Sequence, residues 1–141
     1  VRAQDPAVRQ QLLASVRRIA ESIAQLHGAK IQVTVNEGTP PLINTSDMAS
    51  LARRAAVAAV GEANVLPLKT ANMGAEDFSY YMENIPGAYV RFGSQVPGKE
   101  GFPAHSSKFD FDEEALAVGA AYYQAIAKIA GQRLSEQTPR S

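Results

Sequence analysis

The sequence predicts an α/β protein, and three observations lead there. A one-sided apolar stripe with helical spacing runs through residues 8–26. A period-two segment follows at residues 31–36. Helical and extended patterns then go on alternating through most of the chain, which is the signature of the class.

Asp5-Pro6 opens the first helix. Asp is a good N-cap, and Pro fits the first helical position because its missing N–H would have had no partner there. Val8, Leu12, Val16, Ile19, Ile23 and Leu26 form the stripe, while Arg9, Gln10, Arg17, Arg18, Glu21 and Gln25 cover the other side. Gly28 is the expected stop. Next, Ile31, Val33 and Val35 alternate with Gln32, Thr34 and Asn36, as in a strand with one buried face. One helix and one strand cannot cover each other's apolar faces, so the unit calls for further strands. Gly38-Thr39-Pro40-Pro41 breaks the pattern and is the best internal boundary.

Asn44-Thr45-Ser46-Asp47 supplies N-cap residues for an Ala-rich helix reaching about Val60, whose small face suits close packing against a sheet. Val65 to Thr70 holds at most a short edge piece, since Pro67 lacks a ladder donor. A short helix is expected from about Ala75 to Glu83, stopped by Pro86-Gly87, with Phe78, Tyr80 and Tyr81 as packing residues. Ala88 to Phe92 reads as a strand, and residues 93–107 as a loop with three glycines and two prolines. Asp112 caps the last helix, Glu113-Glu114 favour its positive end, and the polar tail from Gly131 is expected to fray.

With 141 residues, 45% of them hydrophobic and 20% charged, the composition is that of a globular domain. Fourteen basic residues balance fourteen acidic ones, with no charge run, so no nucleic-acid partner is expected. No apolar run reaches membrane-spanning length, so no membrane partner is expected either. Cysteine is absent, which excludes disulfides and thiolate ligands. The N-terminus carries no visible signal peptide, and the default expectation is a cytoplasmic protein.

Two histidines are present. His27 ends the first helix, where a cationic ring suits the negative pole. His105 lies in the turn Pro103-Ala104-His105-Ser106-Ser107, and loops held by rigid elements are common places for ligating groups. One loop histidine leaves both a metal role and a merely exposed one open. Glu76-Asp77 admits two readings as well: helix capping, or a carboxylate pair at the rim of a cleft that Gly74 lets the backbone approach. Phosphate-loop, His-Glu-x-x-His and Gly-x-Ser-x-Gly motifs are absent.

Three stretches, in this order and spacing, resemble the closing third of M20-family amidohydrolases and peptidases, in the branch of hippurate hydrolases and N-acyl-amino-acid amidohydrolases. They are Met73-Gly74-Ala75-Glu76-Asp77-Phe78-Ser79-Tyr80-Tyr81, Pro86-Gly87-Ala88-Tyr89-Val90-Arg91-Phe92-Gly93, and His105-Ser106-Ser107-Lys108-Phe109-Asp110-Phe111-Asp112-Glu113-Glu114-Ala115-Leu116. The resemblance implies the C-terminal part of a zinc-peptidase-like α/β catalytic domain over residues 37–141. Residues 1–36 would be the last helix and strand of a ferredoxin-like lid domain.

It further implies that His105 is a ligand in a dinuclear metal site, filled by zinc, manganese or cobalt in the complete enzyme. Met73, Gly74, Glu76 and Asn44 would contribute to substrate binding. No catalytic residue is implied here: the general-base Glu and the other ligands lie upstream in the family, no Cys-x-His motif occurs in this sequence, and its one adjacent Glu pair, Glu113-Glu114, is read as the start of the last helix. The implied substrate is a small N-acyl amino acid, and the chain alone is expected to be inactive and to hold no metal stably. The alternative is a non-catalytic interaction or dimerisation domain derived from such an enzyme, its apolar faces covered by oligomerisation or strand exchange.

Overall fold

The computed structural model describes residues 1–137. Two compact units form: Val1–Asn44 with Leu68–Gly87, and Thr45–Pro67 with the chain from Ala88 onward. The first changeover thus falls at Asn44–Thr45, just after the Gly38–Pro41 break.

The first unit is built on helix α1, Pro6–His27. Asp5 caps it as the sequence predicts: its backbone is extended, and Oδ1 accepts from the N–H groups of Ala7 at 2.7 Å and Val8 at 3.2 Å. Gly28, at φ 61°, closes the other end, and the next N–H, that of Ala29, returns to the Ala24 carbonyl at 2.9 Å. Only glycine adopts that backbone conformation without strain. Leu13 is the one buried residue of α1; all six residues of the predicted stripe are exposed. The stripe is real as a pattern, and the unit's described residues leave it uncovered.

No strand is present among the described residues. Val33 and Val35 are half-buried while Gln32, Thr34 and Asn36 are exposed, but Ile31 is exposed as well, so the period-two pattern shows only in part as burial. A strand requires hydrogen-bonded neighbours, and no paired extended segment lies beside residues 31–36 or 88–92. Residues 65–70 are likewise irregular. The second helix of this unit, α3, is Phe78–Met82, shorter than predicted. Phe78, Tyr80 and Tyr81, expected as packing residues, are exposed, although the rings of Phe78 and Tyr81 lie 6.0 Å apart.

In the second unit, α2 (Ser46–Val60) packs on α4 (Glu114–Gln137). Leu51, Ala52 and Ala55 of α2 and Tyr122 of α4 make the core, with Ala55 at 0% exposure. The small face expected against a sheet therefore meets a helix. Phe92 sets its ring edge-on to Tyr122 at 5.5 Å, an arrangement that aligns a ring's positive edge with its neighbour's negative face. Burial, with a smaller contribution from Tyr123, pushes the Tyr122 hydroxyl above the usual tyrosine range. Arg133 reaches the Asp47 carboxylate at 3.1 Å, joining the last turns of α4 to the first turn of α2. α4 runs past Gly131 to Gln137, and the last four residues of the tail expected to fray lie outside the described ones. Asp112 acts near the start of α4 as predicted, its Oδ1 accepting from Glu114 N–H at 3.1 Å.

Candidate functional site

A cavity of about 330 Å³ lies in the first unit, and it gathers three of the sequence-predicted site residues, Met73, Gly74 and Glu76. Arg2, Arg9 and the Gly38–Leu42 segment are also among its lining residues. Asn44, the fourth predicted substrate residue, is exposed and is not among the lining residues.

Local chemistry explains the shape of this wall. The Asn72 side-chain carbonyl accepts from Gly74 N–H at 2.6 Å, folding the chain into a tight side-chain-closed turn. A Cβ at position 74 would stand 2.9 Å from that same Asn72 oxygen, closer than real Cβ contacts allow, so the turn requires glycine. One oxygen of Glu76, Oε1, accepts from Phe78 N–H at 3.2 Å, and the Glu76 carbonyl accepts from both Ser79 Oγ at 2.6 Å and Ser79 N–H at 3.1 Å. Ser79 is 1% exposed, with its hydroxyl satisfied by that bond. Of the Glu76-Asp77 pair, Glu76 accepts from an N–H at the start of α3 and is among the cavity's lining residues, whereas Asp77, the N-cap of α3, makes no side-chain capping bond and does not line the cavity.

Two arginines that sequence reasoning did not single out as site residues complete the cavity. Arg2 donates from Nη1 to the Met73 carbonyl. Arg9 donates from Nη1 to Thr39 O and from Nη2 to Gly38 O, both at 3.2 Å, so one planar fork holds two successive carbonyls of that segment. No local sequence signal marks either arginine, because the carbonyls they hold are distant in sequence. The result is a partly apolar hollow lined by two guanidinium groups and one carboxylate, suited to a small polar molecule that carries an anionic group.

His105 belongs to the second unit. Its imidazole is exposed, and its backbone adopts φ 77°, the left-handed region. It is the single non-glycine residue with positive φ among those described. His27 is exposed at the end of α1, as its helix-end reading required. No three His, Cys, Asp or Glu side chains converge among the described residues in a way that would hold a metal ion. No helix is long and apolar enough to cross a membrane among the described residues.

The profile of Peptidase family M20/M25/M40 matches residues 4–129, most of the chain. The chain belongs to that family. Among curated relatives, an uncharacterised hydrolase of Sinorhizobium fredii, y4tI, is 36% identical over 116 residues, covering 82% of this chain and 28% of its own length. Thermostable carboxypeptidase 1 of Saccharolobus solfataricus is 31% identical over 132 residues, 90% of this chain and 32% of its own. An N-acetylcysteine deacetylase of Bacillus subtilis is 34% identical over 129 residues, 92% of this chain and 32% of its own. This M20 chain therefore spans roughly three tenths of the length of the relatives it matches. No solved structure matches it.

Proposed function

We propose that this chain supplies the substrate wall and one metal ligand of an M20 amidohydrolase that hydrolyses N-acyl amino acids, and that it is inactive alone. Fold class goes with this reading: the chain forms the later part of an α/β catalytic domain, joined to a piece of a lid. The observation that carries the proposal is the single cavity uniting Met73, Gly74 and Glu76 with Arg2 and Arg9. An N-acyl amino acid carries one carboxylate, and a guanidinium is the side chain best matched to that planar anion. Family membership, with one relative named as an N-acetylcysteine deacetylase, supports the reading.

A catalytic zinc site uses three protein ligands, and the described residues bring no such set together. By themselves they do not fit a metal, and no chemical step is assigned to them. On this reading His105 is one donor, and the remaining ligands and the base belong to the part of the family's length that this chain does not span. Wall and arginines would bind and orient the substrate, placing its amide against groups supplied elsewhere.

The test is a graft. This chain replaces the matching stretch of the Bacillus subtilis N-acetylcysteine deacetylase, and hydrolysis of N-acetyl amino acids and hippurate is measured. Expected are no cleavage by the isolated chain with Zn²⁺, Mn²⁺ or Co²⁺ and cleavage by the graft. Robust hydrolysis by the isolated chain, or an inert but folded graft, would count against the proposal. The exposed stripe of α1 favours one competing reading, an assembly domain, which a stable dimer of the isolated chain would support.

A further inference from the structure

Residues 30–43 carry no regular secondary structure, and among the described residues their only hydrogen bonds are the two that Arg9 donates. We propose that Arg9 is a positioning residue of the cavity: its guanidinium holds the Gly38–Leu42 lining in place and is not the group that receives a ligand's anion. The proposal rests on the reading of the cavity as the site of a small anionic molecule.

The chemistry of the segment explains how one side chain can do this. The rings of Pro40 and Pro41 fix φ at their own positions, and each restricts the residue before it, Thr39 and Pro40, to extended backbone. Residues 39–41 are therefore stiff by themselves. Gly38, just before them, is the permissive link about which the stiff piece can swing. Arg9 bonds on both sides of that joint, Nη2 donating to the Gly38 carbonyl and Nη1 to the Thr39 carbonyl, both at 3.2 Å. Two points of attachment set the orientation of the segment, where a single bond would leave it free to turn. Thr39 to Leu42 are half-buried, as is Arg9. Leu13, one turn further along α1, is the buried residue of that helix and lines the same cavity, so the anchor stands on the packed side of α1. A carboxylate is best held by two parallel N–H groups of one guanidinium. In Arg9 both Nη atoms already donate to main-chain carbonyls, whereas Arg2 makes one such bond, to Met73.

The experiment is done on the isolated chain. Amide shifts and exchange at Gly38, Thr39 and Leu42 are read by NMR in the unaltered chain, Arg9→Lys and Arg9→Ala, with the Asp5-bonded amides of Ala7 and Val8 as the control. Both substitutions are expected to release 38, 39 and 42 and to leave Ala7 and Val8 as they were. Methylguanidinium added to Arg9→Ala should return the Gly38 and Thr39 shifts toward those of the unaltered chain, and methylammonium at the same concentration should not, because only a planar fork spans two carbonyls. Binding of hippurate and of its uncharged amide is then compared. Arg9→Lys should weaken both about five-fold, as loss of one ordinary hydrogen bond implies, with the preference for acid over amide unchanged. Undisturbed amides at 38, 39 and 42 in Arg9→Lys, or a binding loss that is absent or confined to hippurate, overturns the proposal. An unaltered chain that binds neither compound overturns instead the reading of the cavity beneath it, and the amide and rescue results then decide whether Arg9 holds the segment.

Discussion

Tyr122 and Tyr123 are neighbours on one helix, and the structure assigns them opposite fates. Tyr122 is 6% exposed and sits in the core of the second unit, while Tyr123 is 66% exposed. Truncating a buried aromatic residue to Ala costs about 3–5 kcal/mol, from lost burial and the cavity left behind. The edge-on Phe92 ring at 5.5 Å is part of that loss. At Tyr123 the specific loss among the described residues is its 5.6 Å edge contact with Tyr122, worth roughly 1 kcal/mol, offset by about 0.5 kcal/mol from the better helix propensity of Ala. A unit of this size moves its melting point by about 4–8 °C per kcal/mol. Tyr122→Ala should therefore lower the melting temperature by at least about 12 °C, and Tyr123→Ala by only a few degrees. Helical circular dichroism followed on heating reads both. Equal losses, or the larger loss at Tyr123, would mean that α4 turns its other face to the core and that the packing described for α2 and α4 is wrong.

Three further outcomes follow from the first unit and the loops. Gly74→Ala should disturb the Asn72-closed turn, because the new methyl group would stand 2.9 Å from the Asn72 oxygen and push it aside; amide exchange at position 74 should accelerate, and unchanged protection would show a different turn. Arg9→Lys should destabilise the first unit by about 1 kcal/mol in urea unfolding, since an ammonium cannot span two carbonyls as the guanidinium fork does; a neutral result would mean the clamp is not formed in solution. The Lys99 ammonium, hydrogen-bonded to Asp110 at 3.2 Å, holds that carboxyl below its ordinary value, with help from Phe111 N–H. Its contribution is therefore complete above the ordinary carboxylate range and is lost as pH falls through the lowered value. Carbon-detected NMR titration should show the Asp110 midpoint rising on Lys99→Met, and a fixed midpoint would remove Lys99 as the cause.

Helices were legible from the sequence because their signals are local. Asp5-Pro6, Gly28 and Asp112 terminate or cap them through bonds within a few residues, and the structure contains those bonds. Strands were not recoverable in the same way. The alternation at 31–36 reports which side of a segment is apolar, whereas a ladder needs a neighbour, and no paired neighbour is among the described residues. Exposure of Phe78, Tyr80 and Tyr81 has the same origin: apolar character is read from the residue, and burial depends on what covers it. Of the candidate site, Met73, Gly74 and Glu76 were legible as a motif, and the cavity gathers them. Arg2 and Arg9 were not, because their role depends on carbonyls 71 and about 30 residues away in sequence.

Metal content, measured on the deacetylase graft with and without His105→Ala, reaches the central claim most directly. The account predicts a metal-loaded, active graft whose His105→Ala form folds alike yet loses metal and hydrolysis together. A His105→Ala graft with undiminished metal and turnover would contradict it.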